Sequence, residues 1–227
     1  HSTMTRKPVI IMLTAALLMS VAAWGQSLPK FKFGEPTMEE LKMTTYDKDS
    51  SAAAVVLLNL RDVGFRLDGG EITEVTTNRF RIKILKDAGK DYANVDHVLY
   101  NSQGAKGHEK IFGIKAVAIN LENGKVVKTK MKSDMIFTEK IDEYHDRVKF
   151  TIPQAKVGSV IEYEYNESSD LYYQMDDWNA QQPIPVVHAR YTSIIPEWLL
   201  FRYELRGPGL LQPILGDGLV ERRDVIQ

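Results

Sequence analysis

Apolar and polar positions along this chain mostly alternate in twos. Phe80, Ile82 and Ile84 alternate with Arg79, Arg81 and Lys83. Val148, Phe150 and Ile152 alternate with Lys149 and Thr151, and Ile161, Tyr163 and Tyr165 with Glu162 and Glu164. Near the end, Leu199, Phe201, Tyr203 and Leu205 alternate with Leu200, Arg202 and Glu204. Side chains of a strand point to opposite faces in turn, so this spacing predicts strands with one face in a core and one in water. Ala52–Leu60 is apolar at nearly every position and suits a strand buried on both faces. Ile111–Leu121 and Lys125–Met131 flank Asn123-Gly124, a dipeptide suited to a two-residue hairpin turn, and Asp68-Gly69-Gly70 supplies another turn.

A helical signal stands out at one place. Thr37 followed by Glu40 fits a capping box, with Pro36 before it, and predicts a short helix over Met38–Met43. Strands joined by turns rather than by helices argue for a mainly β chain. The expected fold is an antiparallel β-sandwich, immunoglobulin-like or related, with one short N-terminal helix. Two stretches without a clear pattern, Asp87–Glu109 and Glu167–Pro185, read as long loops, the second acidic and aromatic.

The N-terminus changes the picture. Arg6 and Lys7 precede an apolar run of 13 residues, Val9–Val21, and small residues follow, with Ala23 and Gly25 placed for cleavage before Gln26. That is the layout of a secretory signal peptide, and the run falls short of the roughly 20 residues that span a bilayer. Residues 1–25 are therefore read as a signal, with His1, Ser2 and Thr3 a cloning scar or misplaced start. Residues 26–207 are read as the sandwich, and the Gly/Pro-rich 208–227 as a linker or the start of a following domain. The expected location is the periplasm or the cell surface, with no membrane span after cleavage.

Charge and cysteine content remove several functions. Loss of Arg6 and Lys7 moves the formal charge from −1 to −3, and so gives no electrostatic case for nucleic acid. The sequence has no cysteine, hence no disulfide, no thiolate nucleophile and no zinc–sulfur site. His97, His108, His145 and His188 show no metal-ligand spacing and read as surface or edge-strand residues. Glu162 and Glu164 share one strand face, expected to be solvated, whereas glycosidases bring their acids from separate elements. No phosphate-cradling loop or nucleophile elbow is present, so no cofactor, metal or catalytic residue is expected.

One stretch has the composition of a binding site. Tyr172, Tyr173, Asp176, Asp177 and Trp178 bring aromatic rings next to carboxylates, a set that can stack on a sugar or grip a peptide. The preferred reading places Trp178 in the core as a plug at the end of the sandwich, with Tyr172 or Tyr173 left accessible.

A run of residues also carries a family resemblance: Phe150-Thr151-Ile152-Pro153, Val157-Gly158-Ser159-Val160-Ile161-Glu162-Tyr163-Glu164-Tyr165, then Trp178, Gln182, Pro185-Val186 and Ile195-Pro196, with Ala52–Leu57 upstream. In this order they resemble the N-terminal domain of unknown function that precedes a transglutaminase-like domain in Gram-negative envelope proteins. The resemblance runs from about Gly34 to Arg206. It implies a β-sandwich followed, in longer relatives, by a Cys-His-Asp domain. With no cysteine in this sequence, no catalytic residue carries over. The reading it supports is an exported, non-catalytic module that docks a transglutaminase-like domain or another envelope protein, or presents substrate to it. A stand-alone carbohydrate- or peptide-binding module and a cryptic hydrolase are the alternatives.

Overall fold

The computed structural model describes residues 30–173, 178, 182–197 and 199, and the backbone of strands Leu211–Leu215 and Val220–Ile226. The signal segment 1–25 and the alternation at 201–205 lie outside the described residues.

The fold belongs to the compact unit Phe33–Gln227. It opens with helix α1 (Met38–Lys42), started by the expected capping box: Thr37 Oγ1 accepts from the Glu40 N–H at 3.1 Å, and Glu40 Oε2 accepts from the Thr37 N–H at 2.7 Å. Strands β1 (Ala54–Asp68) and β2 (Glu71–Ile84) form a long hairpin. A 3-10 turn over Asp87–Ala93 leads into β3 (Asn94–Tyr100). Then come β4 (Glu109–Glu122), β5 (Lys125–Lys130), β6 (Ile136–Lys140), β7 (His145–Thr151), β8 (Val160–Ser169) and β9 (His188–Ile194). Strands β10 (Leu211–Leu215) and β11 (Val220–Ile226) follow. Asn123 and Gly124, at φ 49° and 76°, make the β4–β5 turn, which needs two residues in the left-handed region.

The strands form a β-sandwich. Its large sheet has the order β10-β11-β9-β1-β2-β8-β4-β5, and its small sheet β3-β7-β6. One core lies between the sheets, where Val56, Ile82, Ile161 and Tyr163 meet Phe150 and Ile152. A second lies on the opposite face of the large sheet, where Leu41 of α1 covers Val55, Leu57, Val117, Ile119 and Val160. The large sheet is thus covered on both sides over β1, β2 and β8. This explains why Ala54–Leu60, the first half of β1, is apolar at nearly every position.

Several expectations change. Arg81 is 2% exposed and Lys83 0%, so the supposed water face of β2 is buried under the N-terminal segment. Glu162, expected on a solvated face, is likewise 0% exposed. The gap Asp87–Glu109 contains β3, whose residues Val98, Leu99 and Tyr100 break the alternation that would have shown it. Strand β9 pairs parallel to β1, an exception to the antiparallel pattern. The stretch 208–227, expected to be a linker or the start of a following domain, contributes β10 and β11 to the large sheet.

Lys83 makes the burial measurable. Its Nζ donates to the carbonyls of Leu41 and Gly158, both at 2.7 Å, closing the end of α1 and the turn before β8. Burial pushes its amine down to about 8. Between that value and the ordinary lysine value near 10.4, the unfolded chain holds a proton the folded chain has released, so stability rises with pH. The full window corresponds to about 3 kcal/mol. Tyr165 acts in the opposite sense: burial, then the Glu167 carboxylate, push its phenol up to about 12, so stability falls again above about pH 10. Urea unfolding between pH 7.5 and 9.5 is expected to show a rise of about 2 kcal/mol, absent in Lys83→Met. The same rise in the variant would refute this assignment.

Candidate functional site

The Gly158–Tyr165 run, the most distinctive in the sequence, builds structure at every position. Gly158, at φ 91°, turns its carbonyl to Lys83. Ser159 Oγ donates to Asn120 Oδ1 at 2.5 Å, both residues buried. Ile161 and Tyr163 face the inter-sheet core. Glu162 points the other way, into a charged network. Its Oε2 accepts from the Gly34 N–H at 2.9 Å and from Arg81 Nε at 3.0 Å, and its Oε1 accepts from Arg79 Nε at 2.7 Å. Arg81 also reaches Glu40 of α1 at 3.0 Å. The Arg79 guanidinium and the Lys115 ammonium lie 5.5 and 4.5 Å from the centre of the Phe33 ring. A buried carboxylate met by two guanidiniums and a backbone N–H is compensated, and here it fastens the N-terminal segment to the sheet.

The aromatic loop divides into two pairs. Tyr172 and Tyr173 meet edge-on, centroids 5.6 Å apart, and Tyr173 is 60% exposed. Trp178 is half-buried against Tyr191, centroids 5.5 Å apart, and packs on the inter-sheet core. Asp176 and Asp177 lie outside the described residues. Register puts Tyr191 beside Arg61, then Asn78, then Tyr165, in one row across the inner face of the large sheet. The His97 ring of β3 lies 5.2 Å from that of Tyr165, and its Nε2 stands 2.7 Å from Glu167. His108 and His145 pair with Asp170 and Asp142 at 3.0 and 2.8 Å. Among the described residues, no group of three or more His, Cys, Asp or Glu is placed to hold a metal ion.

A second surface, missed from sequence, is the outer face of the small sheet. Val98 and Tyr100 of β3, Phe137 of β6, and Ile141 and Tyr144 of the β6–β7 turn are all exposed, Phe137 at 59%. Tyr100 stacks on Tyr144 at 6.4 Å and meets His145 edge-on at 5.6 Å. The charges among them are neutralised locally: Arg147 meets Asp96 and Glu139 at 3.6 and 3.4 Å, and Lys149 meets Glu139 at 3.0 Å. That lysine, then Arg147, hold the Glu139 carboxyl below its ordinary range. A groove of about 590 Å³, lined by Asp96, Met135, Phe137 and Lys149 among others, opens at one end. Exposed apolar side chains set among self-paired charges form a surface suited to another protein.

The fold and these surfaces define a two-sheet β-sandwich domain with an apolar outer face and a buried anchor for its N-terminal segment. The profile of DUF3857, a domain of unknown function with a solved structure, matches residues 72–213, and the chain belongs to that family. No curated protein matches the chain. Among solved structures it is similar to a Parabacteroides distasonis protein described as a putative protease, with 14% identity and a TM-score of 0.56. The likeness covers 76% of this chain and 35% of that one, so the chain corresponds to about a third of the longer protein's length. At this identity the likeness speaks for the fold. Among the described residues no helix is long and apolar enough to cross a membrane.

Proposed function

We propose that the chain is an exported, non-catalytic module of a transglutaminase-like envelope protein, acting in the periplasm or at the cell surface by docking that protein's catalytic domain or presenting substrate to it. The observation that carries this reading is the outer face of the small sheet, where five large apolar side chains stand exposed around paired charges. The length relation with the structural neighbour supports it, since the same fold there occupies only part of a larger chain. Export rests on the basic start and short apolar run of residues 1–25. Mass spectrometry of protein recovered from cells is expected to place the mature N-terminus at or within a few residues of Gln26. An intact Met4 terminus in the membrane fraction would overturn export.

Calorimetric titration of the chain against a separately purified transglutaminase-like domain from the same genome tests docking. A Kd in the micromolar range or tighter is expected, weakened at least ten-fold by Phe137→Asp, because the change removes the most exposed ring of the face and puts a carboxylate that must lose its water into the interface. Absence of binding together with turnover by the chain alone would replace this reading with the hydrolase.

Tyr173 favours a second reading, a stand-alone carbohydrate- or peptide-binding module. Its ring is accessible beside Tyr172, while Asp176, Asp177 and Trp178 complete the candidate set. A glycan or peptide array signal lost in Tyr173→Ala would support it. A signal unchanged in that variant would count against it.

A further inference from the structure

We propose that the free edge of β5 is a strand-addition site for an extended, acidic segment of a partner polypeptide. β5 ends the strand order of the large sheet, and it pairs with β4 without a register shift from Val117↔Lys130 to Glu122↔Lys125. Its outer side therefore presents a regular row of backbone donors and acceptors, the template an added strand needs.

The side chains specify the occupant. Lys125, Lys128, Lys130 and Lys132 fall within eight residues and all are exposed. Among the described residues none of these four ammonium groups meets a carboxylate, whereas Lys106, Lys115, Lys149 and Lys156 each pair with a glutamate. In a chain of formal net charge −1 this is a local excess of positive charge. A row of lysines is a common defence of an edge strand, and it works by repelling another copy of the same edge. The same charges attract an incoming strand of opposite sign. Two features go beyond defence. Val126 and Val127 are exposed at 44% and 37%, where an edge blunted against pairing would carry polar groups. A groove of about 550 Å³ also runs beside the strand, lined by Glu35, Pro36, Met38, Leu41, Val126 and Lys128.

Register fixes how the guest would lie. Val126, Lys128 and Lys130 pair with Leu121, Ile119 and Val117, so they share the face that α1 covers. An added strand with an apolar residue level with Val126 and acids level with Lys128 and Lys130 satisfies the groove and the charges together. Backbone bonds supply the affinity, and the alternate side chains supply the selection.

The test uses the full chain and labelled short peptides of the pattern Val-Thr-Glu-Thr-Glu, which put the valine and both glutamates on one face, followed by fluorescence anisotropy and by hydrogen exchange over Lys125–Lys130. The acidic peptide is expected to bind and to protect those amides. Its counterpart with lysine in place of glutamate is expected not to bind. An acidic peptide N-methylated at alternate residues, which keeps the charge but loses half the donors, should bind roughly ten-fold more weakly or worse. The double change Lys128→Glu and Lys130→Glu, on exposed positions that leave the core intact, should exchange the preference from the acidic to the basic peptide. Equal binding of the N-methylated and parent peptides would overturn strand addition, as would binding without protection of β5. Binding of phosphatidylglycerol vesicles with no binding of any peptide would also overturn it and assign the lysines to an anionic surface.

Discussion

Replacing Glu162 by alanine is expected to cost about 3–5 kcal/mol in urea unfolding, the scale for removing one member of a buried ionic group. The side chain is wholly buried, and three donors converge on it from Gly34, Arg79 and Arg81. Alanine leaves two guanidiniums in a covered layer without the carboxylate they share, while Arg81 keeps its pair with Glu40. Glu164→Ala is the control. That carboxylate pairs with Lys115 at 2.9 Å on a partly exposed site, where such a pair contributes less than about 1 kcal/mol. The Glu162 variant should also open the N-terminal segment to proteolysis near Gly34, since the Gly34 N–H loses its acceptor. Equal costs at the two glutamates would mean that the network does not hold the segment.

Tyr163→Ala is expected to destabilise the sandwich by about 3–5 kcal/mol as well, for a different reason. Its ring stacks on Phe80 with centroids 5.2 Å apart and meets Phe150 of the small sheet edge-on at 6.0 Å. It therefore joins the two sheets, and truncation leaves a cavity between them. Burial also pushes its phenol well above the ordinary tyrosine range. Tyr163→Phe keeps the ring and is expected to cost less than about 1.5 kcal/mol, the range for one hydroxyl. Matching losses for the two variants would place the contribution in the hydroxyl rather than in the packing.

Where local chemistry decides structure, the sequence was readable. Thr37 and Glu40 mark α1 because the capping box is a contact within one turn, and Asn123-Gly124 marks the β4–β5 hairpin because few residues accept its backbone angles. Tyr163 was assignable to the core from its alternation with Glu162 and Glu164. What alternation cannot report is whether a charged face meets water. Arg79, Arg81 and Lys83 have the spacing of a solvated face, yet their partners Glu162, Glu40 and the Leu41 carbonyl lie far along the chain. Nothing local distinguishes an exposed charge from one neutralised across strands.

The candidate surfaces divide the same way. Tyr172, Tyr173 and Trp178 could be singled out by composition, but not the pairing of Trp178 with Tyr191 of a strand further on. The outer face of the small sheet exists only once β3, β7 and β6 align. Val98, Tyr100 and Phe137 are unremarkable singly and become a surface through register.

That surface is also where the functional reading is most exposed to test. Hydrogen exchange of the chain, alone and with the transglutaminase-like domain added, compares the two states amide by amide. Docking predicts slowed exchange confined to β3, β6 and the β6–β7 turn, lost together in Phe137→Asp, while the buried amides of β1 and β8 keep their rates. Unchanged exchange over Val98–Tyr100 and Phe137–Tyr144 at saturating partner would contradict it.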